Sequence, residues 1–126
     1  MRAARKSVAD TPAVDAAALR VDNLSVELDT PAGRIQPVRG VSFALRRGRA
    51  LGVIGESGSG KSVTARAILG LMPRDKSAVT GSVQLAGREI VGQPESTVRR
   101  YRGTEAAIVL QDPGRAPTFH RKLITK

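Results

Sequence analysis

The sequence predicts an α/β fold with a partly parallel sheet, on three observations. Residues 50–54 (ALGVI) form a continuous apolar run without alternation, as expected of a strand buried on both faces. A glycine-rich turn, residues 55–60, follows at once and leads into an apolar segment, residues 61–72, whose Val63, Ala67, Ile68, Leu71 and Met72 fall at helical spacings. Ahead of these lie two extended stretches separated by a Pro/Gly break, which suggests an antiparallel unit.

The elements follow in chain order. Residues 1–18 are Ala-rich, carry mixed charges and have no period of 2 or 3.6, so they are expected to be a mobile tail. Leu24, Val26 and Leu28 alternate with Ser25 and Glu27, the pattern of a strand with one buried face. Asp29-Thr30-Pro31-Ala32-Gly33 breaks it, and a second strand runs through Val41, Phe43 and Leu45. Arg46-Arg47-Gly48-Arg49 is a turn before the apolar run. Pro73 is expected to end the helix, residues 82–86 to form a strand, residues 96–102 a short basic helix after Pro94, and residues 106–110 another apolar strand.

Composition narrows the function classes. The chain has 126 residues, 21 Lys plus Arg against 11 Asp plus Glu, and a formal charge of +10. This excess favours anionic partners, but residues 30–55, with five arginines and no acid, and residues 113–126, with four basic residues and no acid, read first as a solvated surface with basic turns. Phe43, Tyr101 and Phe119 are the only aromatic residues, too few for a base-stacking platform, so nucleic acid is discounted. The absence of cysteine excludes disulfides, thiolate metal sites and cysteine nucleophiles. No apolar stretch approaches the roughly 18 residues of a spanning helix, and no apolar segment follows the basic start, so a cytoplasmic location is expected.

Gly55-Glu56-Ser57-Gly58-Ser59-Gly60-Lys61-Ser62 matches the phosphate-loop pattern G-x-x-x-x-G-K-[ST] without a gap. A polyphosphate is held by several main-chain N–H groups pointing inward, and a loop of small residues lets the backbone wrap that closely. The helix starting at Lys61 adds the positive end of its dipole and its unpaired N–H groups. Lys61 is expected to reach the β and γ phosphates, and the Ser62 hydroxyl to ligate Mg²⁺. A chance glycine turn would give this pattern in roughly half a per cent of chains of this length. The strand before it and the helix after it reduce that further.

The wording LGVIGESGSGKSVTARAILGLMP, preceded by VRGVSFALRRG and followed by IVLQDP, resembles the ATP-binding subunits of ABC transporters, most of all the dipeptide, oligopeptide and nickel importers. The resemblance spans residues 19–113 and implies a P-loop NTPase fold, the ABC nucleotide-binding domain, with N-terminal antiparallel strands and an incomplete P-loop core. It implies ATP and Mg²⁺ as ligands, Gln111 touching the Mg²⁺ and the attacking water, and Lys61 assisting. The implied partners are ABC permease subunits and a second ATP-binding subunit, with the membrane reached only through the permeases, at its cytoplasmic face.

Two departures from the family's pattern qualify these expectations. Leu28 stands where the family commonly places an aromatic ring under adenine, which predicts base recognition weaker by roughly 1 kcal/mol. Val38 is a candidate for packing on the base or ribose, with an ordinary core role the alternative. After Gln111 nothing resembles the Leu-Ser-Gly-Gly-Gln signature, the strand ending in Asp-Glu or the switch histidine, and His120 reads as a solvated surface residue. The expected layout is therefore a tail (1–18), a partial ATP-binding domain (19–113) and a divergent basic tail (114–126), with apolar faces left exposed. The alternatives are a nucleotide-binding module without turnover, or a small metabolite kinase using Asp112.

Overall fold

The computed structural model describes residues 2–3, 17–56 and 58–109. Its centre is a four-stranded antiparallel sheet of β2 (Ala17–Thr30), β3 (Gly33–Arg46), β5 (Ser77–Leu85) and β6 (Arg88–Glu89), in the order β3-β2-β5-β6. Outside it lie a two-stranded pair, β1 (Arg2–Ala3) with β4 (Val53–Ile54), and two helices, α1 (Lys61–Ile68) and α2 (Glu95–Tyr101).

The expected antiparallel unit is β2 and β3, joined by Pro31 and Ala32. At the tip Arg34 on β3 pairs with Asp29 and Glu27 on β2, each at 2.8 Å. Arg34, the first arginine of the acid-free stretch 30–55, thus finds two counter-charges on the neighbouring strand.

The hydrophobic period of β2 slips once, between Val21 and Leu24, and the structure shows why. Asn23 has φ 49° and is the extra residue of a bulge, at which the register shifts against both neighbouring strands. Asparagine visits this left-handed region more readily than most residues. The insertion returns Leu24 and Val26 to the face that already carries Val21. The backbone N–H of Asn23 is satisfied by the Ser42 hydroxyl at 2.8 Å. Gly81 on β5 lies opposite the bulge, between the pairs Asp22–Ser82 and Ser25–Thr80.

Val21, Leu24, Val26, Val38, Val83 and Leu85 from the sheet form one buried cluster with Ala67 of α1, with Ile90 just after β6, and with Val98 of α2. Each Val or Leu so buried contributes about 1.5–3 kcal/mol, so this aliphatic seam dominates the stability of the described residues. Phe43 and Tyr101 pack only at its margin. Ala86 and Gly87, both at positive φ, make the two-residue turn from β5 to β6.

Several elements differ from expectation. Helix α1 ends at Ile68, before Pro73, because Gly70 (φ 65°) reverses the chain. Gly70 N–H donates to the Ala67 carbonyl at 3.0 Å and Leu71 N–H to the Arg66 carbonyl at 2.8 Å, the two bonds of a Schellman cap. Strand β5 begins at Ser77, five residues before the expected start. A glycine within the alternating pattern concealed its continuity.

The larger correction concerns residues 50–54. Only Val53 and Ile54 are strand, their partner is β1 in antiparallel register, and they are 37% and 67% exposed. Residues 106–109 form no strand, and Val109 is 81% exposed. The strand pairing expected of both segments, and the two-sided burial that the apolar run 50–54 suggests, require flanking strands and covering helices, whose shortage underlies the expectation of exposed apolar faces. Among the described residues those layers are absent, and the only parallel pairing is the isolated bridge between Arg102 and Ala106.

The second helix starts after Pro94, one residue earlier than the basic pattern alone suggests. Its first-turn Glu95 is bonded by Arg102 at 2.7 and 2.9 Å, which holds its carboxyl below the usual glutamate range. A lowered folded-state value means that this stabilisation is complete above the unfolded-state pKa of about 4.3 and is lost as pH falls through the folded value. In thermal melts between pH 5 and pH 3, the wild type is therefore expected to lose more stability than Glu95→Gln. Parallel curves for the two proteins would contradict the pairing.

Candidate functional site

The site is the loop between β4 and α1, where Gly55, Glu56, Gly58, Ser59, Gly60, Lys61 and Ser62 lie together. Ser57 and Gln111 fall outside the described residues, as do Asp112, Pro113 and His120. Gly58 and Gly60 have φ 81° and 95°, conformations that a side chain strains. Ser59 N–H donates to the Glu56 carbonyl at 3.0 Å, which tightens the loop from within.

Gly60 is the N-cap of α1. Its carbonyl accepts from the Thr64 N–H at 2.9 Å and from the buried Thr64 hydroxyl at 2.7 Å, and it has no side chain to cap the amides that follow. The first-turn amides, Lys61 to Val63, have no carbonyl four residues back within the helix to accept from them. The first turn holds no acid. The end of α1 nearest the loop therefore keeps its partial positive charge for an outside anion.

The ammonium of Lys61 lies within the loop, donating to the carbonyls of Gly55 and of Glu56 (2.7 Å) and to the Ser59 hydroxyl (3.3 Å). A Cβ on Gly55 would strike the Ser59 hydroxyl, and one on Gly60 would strike the Pro37 carbonyl oxygen of β3. The absence of these carbons lets the loop close on itself and sit against β3 at a bulge, where proline is tolerated within a strand. Small residues, inward polar groups and a lone ammonium suit a polyphosphate with Mg²⁺, for which the Ser62 hydroxyl could supply one oxygen ligand. Among the described residues there is no group of three or more His, Asp or Glu able to hold a metal by itself.

Val38 is buried in the core, 1% exposed, so its role is structural. Leu28 packs partly buried against the core cluster, opposite Ile35 on β3 and Ser77 on β5. A cleft of about 240 Å³ opens near the other end of α1, lined by Ala67, Gly70, Met72, Ile90 and Val98 among others, and shares no residue with the loop. Sequence reasoning missed Pro37 as the seat of the loop. The contact joins backbone to backbone, and side-chain identity carries little signal for it.

A glycine loop closed around a lysine, between a strand and the open end of a helix, defines a phosphate-loop nucleotide-binding domain. The chain belongs to the ABC transporter family, whose model matches residues 38–122. It is 39% identical over 95 residues to the dipeptide transport ATP-binding protein DppD of Lactococcus lactis subsp. cremoris, covering 75% of this chain and 27% of that protein. It is 41% identical over 97 residues to the oligopeptide transport ATP-binding protein OppD of Escherichia coli, covering 77% of this chain and 28% of the relative. A putative peptide import ATP-binding protein of Brucella abortus is 45% identical over 95 residues, covering 75% of this chain and 29% of the relative. The chain thus spans just over a quarter of the length of these three relatives. No helix among the described residues is long and apolar enough to cross a membrane.

Proposed function

We propose that this chain is the phosphate-gripping part of the ATP-binding subunit of an ABC importer for peptides or similar solutes, and that residues 55–62 hold MgATP. The observation that carries the reading is the loop itself: Lys61 folded inward among its carbonyls, beside the uncapped first turn of α1. The names of the relatives, all peptide or dipeptide transport ATP-binding proteins, support the solute class.

In this reading the amides of Gly58 to Ser62 receive the phosphate oxygens. Lys61 exchanges part of its bonding to the loop for the β and γ phosphates, and Ser62 holds Mg²⁺ with Gln111 as a second ligand. Glu56 and Ser57 contribute main chain. When bound, Mg²⁺ would supply neutralising charge, while the chain's own groups orient and desolvate the phosphates. The partners are permease subunits and a second ATP-binding subunit, which bring the protein to the cytoplasmic face of a membrane.

Titration with a fluorescent ATP analogue and Mg²⁺ tests the site. Lys61→Ala is expected to weaken binding by about a hundredfold or more, since a charge-assisted contact to phosphate is worth about 3 kcal/mol. Unchanged binding would refute the assignment.

A second reading, nucleotide binding without turnover, follows from the chemistry of the described loop. Amides and an ammonium stabilise bound phosphates, but attack at the γ-phosphate also needs a group that positions water. Steady-state phosphate release no higher than that of Lys61→Ala would favour this reading over hydrolysis.

A further inference from the structure

Helix α1 has eight residues, and only Thr64 and Ala67 on it are buried. So short a helix is oriented mainly by what holds its two ends. The first end is seated where Gly60 meets Pro37 of β3. The second is gripped by a side chain more than thirty residues away: Arg102 donates from Nε to the Leu69 carbonyl at 2.9 Å and from Nη2 to the Gly70 carbonyl at 2.8 Å. The same guanidinium is bidentate to Glu95 of α2, at 2.7 and 2.9 Å, and its side chain is only 20% exposed. Glu95 lies 3.8 Å from Arg74, which donates to the Gln93 carbonyl at 2.7 Å.

We infer that Arg102 is a positioning residue of the phosphate loop: by gripping the carbonyls of Leu69 and Gly70, in the cap just past α1, and anchoring them to α2, it fixes the axis along which the first amides of the helix point. The lever arm is short but sufficient. Eight residues span about 12 Å, so a tilt of about 10° moves the far end by about 2 Å. Displacements of that size matter where several donors must converge on one anion. The planar fork serves carbonyls on one side and a carboxylate on the other, a task that the single ammonium of lysine cannot reproduce. The ligand class rests on the function proposed above, whereas the clamp on α1 does not.

Hydrogen–deuterium exchange on the nucleotide-free full chain tests the clamp without any ligand. The comparison is of wild type, Arg102→Ala, Arg102→Lys, Glu95→Gln and the control Glu89→Gln. Glu89 accepts bonds from Val83 and Val91 N–H at 2.9 and 3.0 Å and from the Ser82 hydroxyl, so its loss weakens the sheet edge. Both Arg102 variants are expected to raise exchange at the amides of residues 58–63 by about tenfold more than at β2 and β5, a selective local opening. The control is expected to raise exchange without that selectivity. Proportionate increases in loop and sheet for Arg102→Ala, or full rescue by lysine, would overturn the inference.

If Arg102→Ala does not fold, Glu95→Gln carries the test. It leaves Arg102 on the carbonyls but removes the ionic anchor, and loop-selective opening supports the clamp while uniform opening refutes it. MgATP affinity of the folded variants is expected to fall about tenfold for Arg102→Ala and little for Glu89→Gln. Failure of the wild type to bind MgATP would count against the proposed function, and the exchange pattern would still judge the clamp.

Discussion

Gly60→Ala is expected to abolish MgATP binding and to destabilise the chain by about 3 kcal/mol. Two independent costs combine at this position. Gly60 has φ 95°, which any Cβ strains. The added carbon would also strike the Pro37 carbonyl oxygen and lie 3.2 Å from its carbon. Both atoms are backbone, in a bulge flanked by the ladder pairs Val38–Val26 and Ile35–Leu28, so the collision cannot be relieved by rotating a side chain. Either the loop lifts off β3 or β3 is pushed from the sheet. In both cases the first amides of α1 lose their aim. Denaturant titration measures the stability loss and a fluorescent ATP analogue the binding loss. A variant with a wild-type midpoint and undiminished affinity would show that the loop is not seated on β3.

Gly81→Ala is expected to be equally damaging to stability, by about 3 kcal/mol or more, but to act on the sheet. Gly81 has φ 96°, and its missing Cβ leaves room for the Asn23 bulge. An alanine there would strike the Asn23 carbonyl oxygen and come within 2.7 Å of its carbon and of the Asp22 carbonyl oxygen. The bulge keeps Val21, Leu24 and Val26 on one face, so expelling it would slip part of β2 relative to β5 and turn core residues outward. Against a typical net stability of about 5–15 kcal/mol, that loss leaves little reserve. Urea unfolding with circular dichroism measures it. Nucleotide affinity corrected for the folded fraction is expected to stay near wild type, which separates this variant from Gly60→Ala. A wild-type urea midpoint would contradict the packing of Gly81 on the bulge.

The contrast between these glycines shows what could be read from the sequence. Gly60 was legible as chemistry, because G-x-x-x-x-G-K-[ST] encodes a local requirement: small residues, one ammonium and one hydroxyl at fixed spacing. Gly81 was not. Its partner, Asn23, is distant along the chain, and only strand pairing brings the two together. The early end of α1 was half legible, since a glycine at residue 70 permits a Schellman cap but the helical spacing of Leu71 and Met72 argued for continuation.

The strands expected over residues 50–54 and 106–110 failed for a different reason, although the exposure of their apolar faces is among the expectations. Unbroken apolar runs report the burial a segment seeks, and the neighbours that would bury Val53, Ile54 and Val109 are not among the described residues. Ion pairing was equally hidden: Arg34 belongs to an acid-free stretch of sequence but faces Asp29 and Glu27 across the hairpin.

By itself, then, the sequence determined the antiparallel lead-in, the phosphate loop with its lysine, and family membership, because hydrophobic period, turn residues and motif spacing are properties of neighbours along the chain. Only the tertiary structure decided that Asn23 bulges against Gly81, that the loop rests on Pro37, and that Arg102 reaches back to the end of α1. Those are contacts of backbone and long side chains between distant segments, and their energies exist only once the sheet has set the distances.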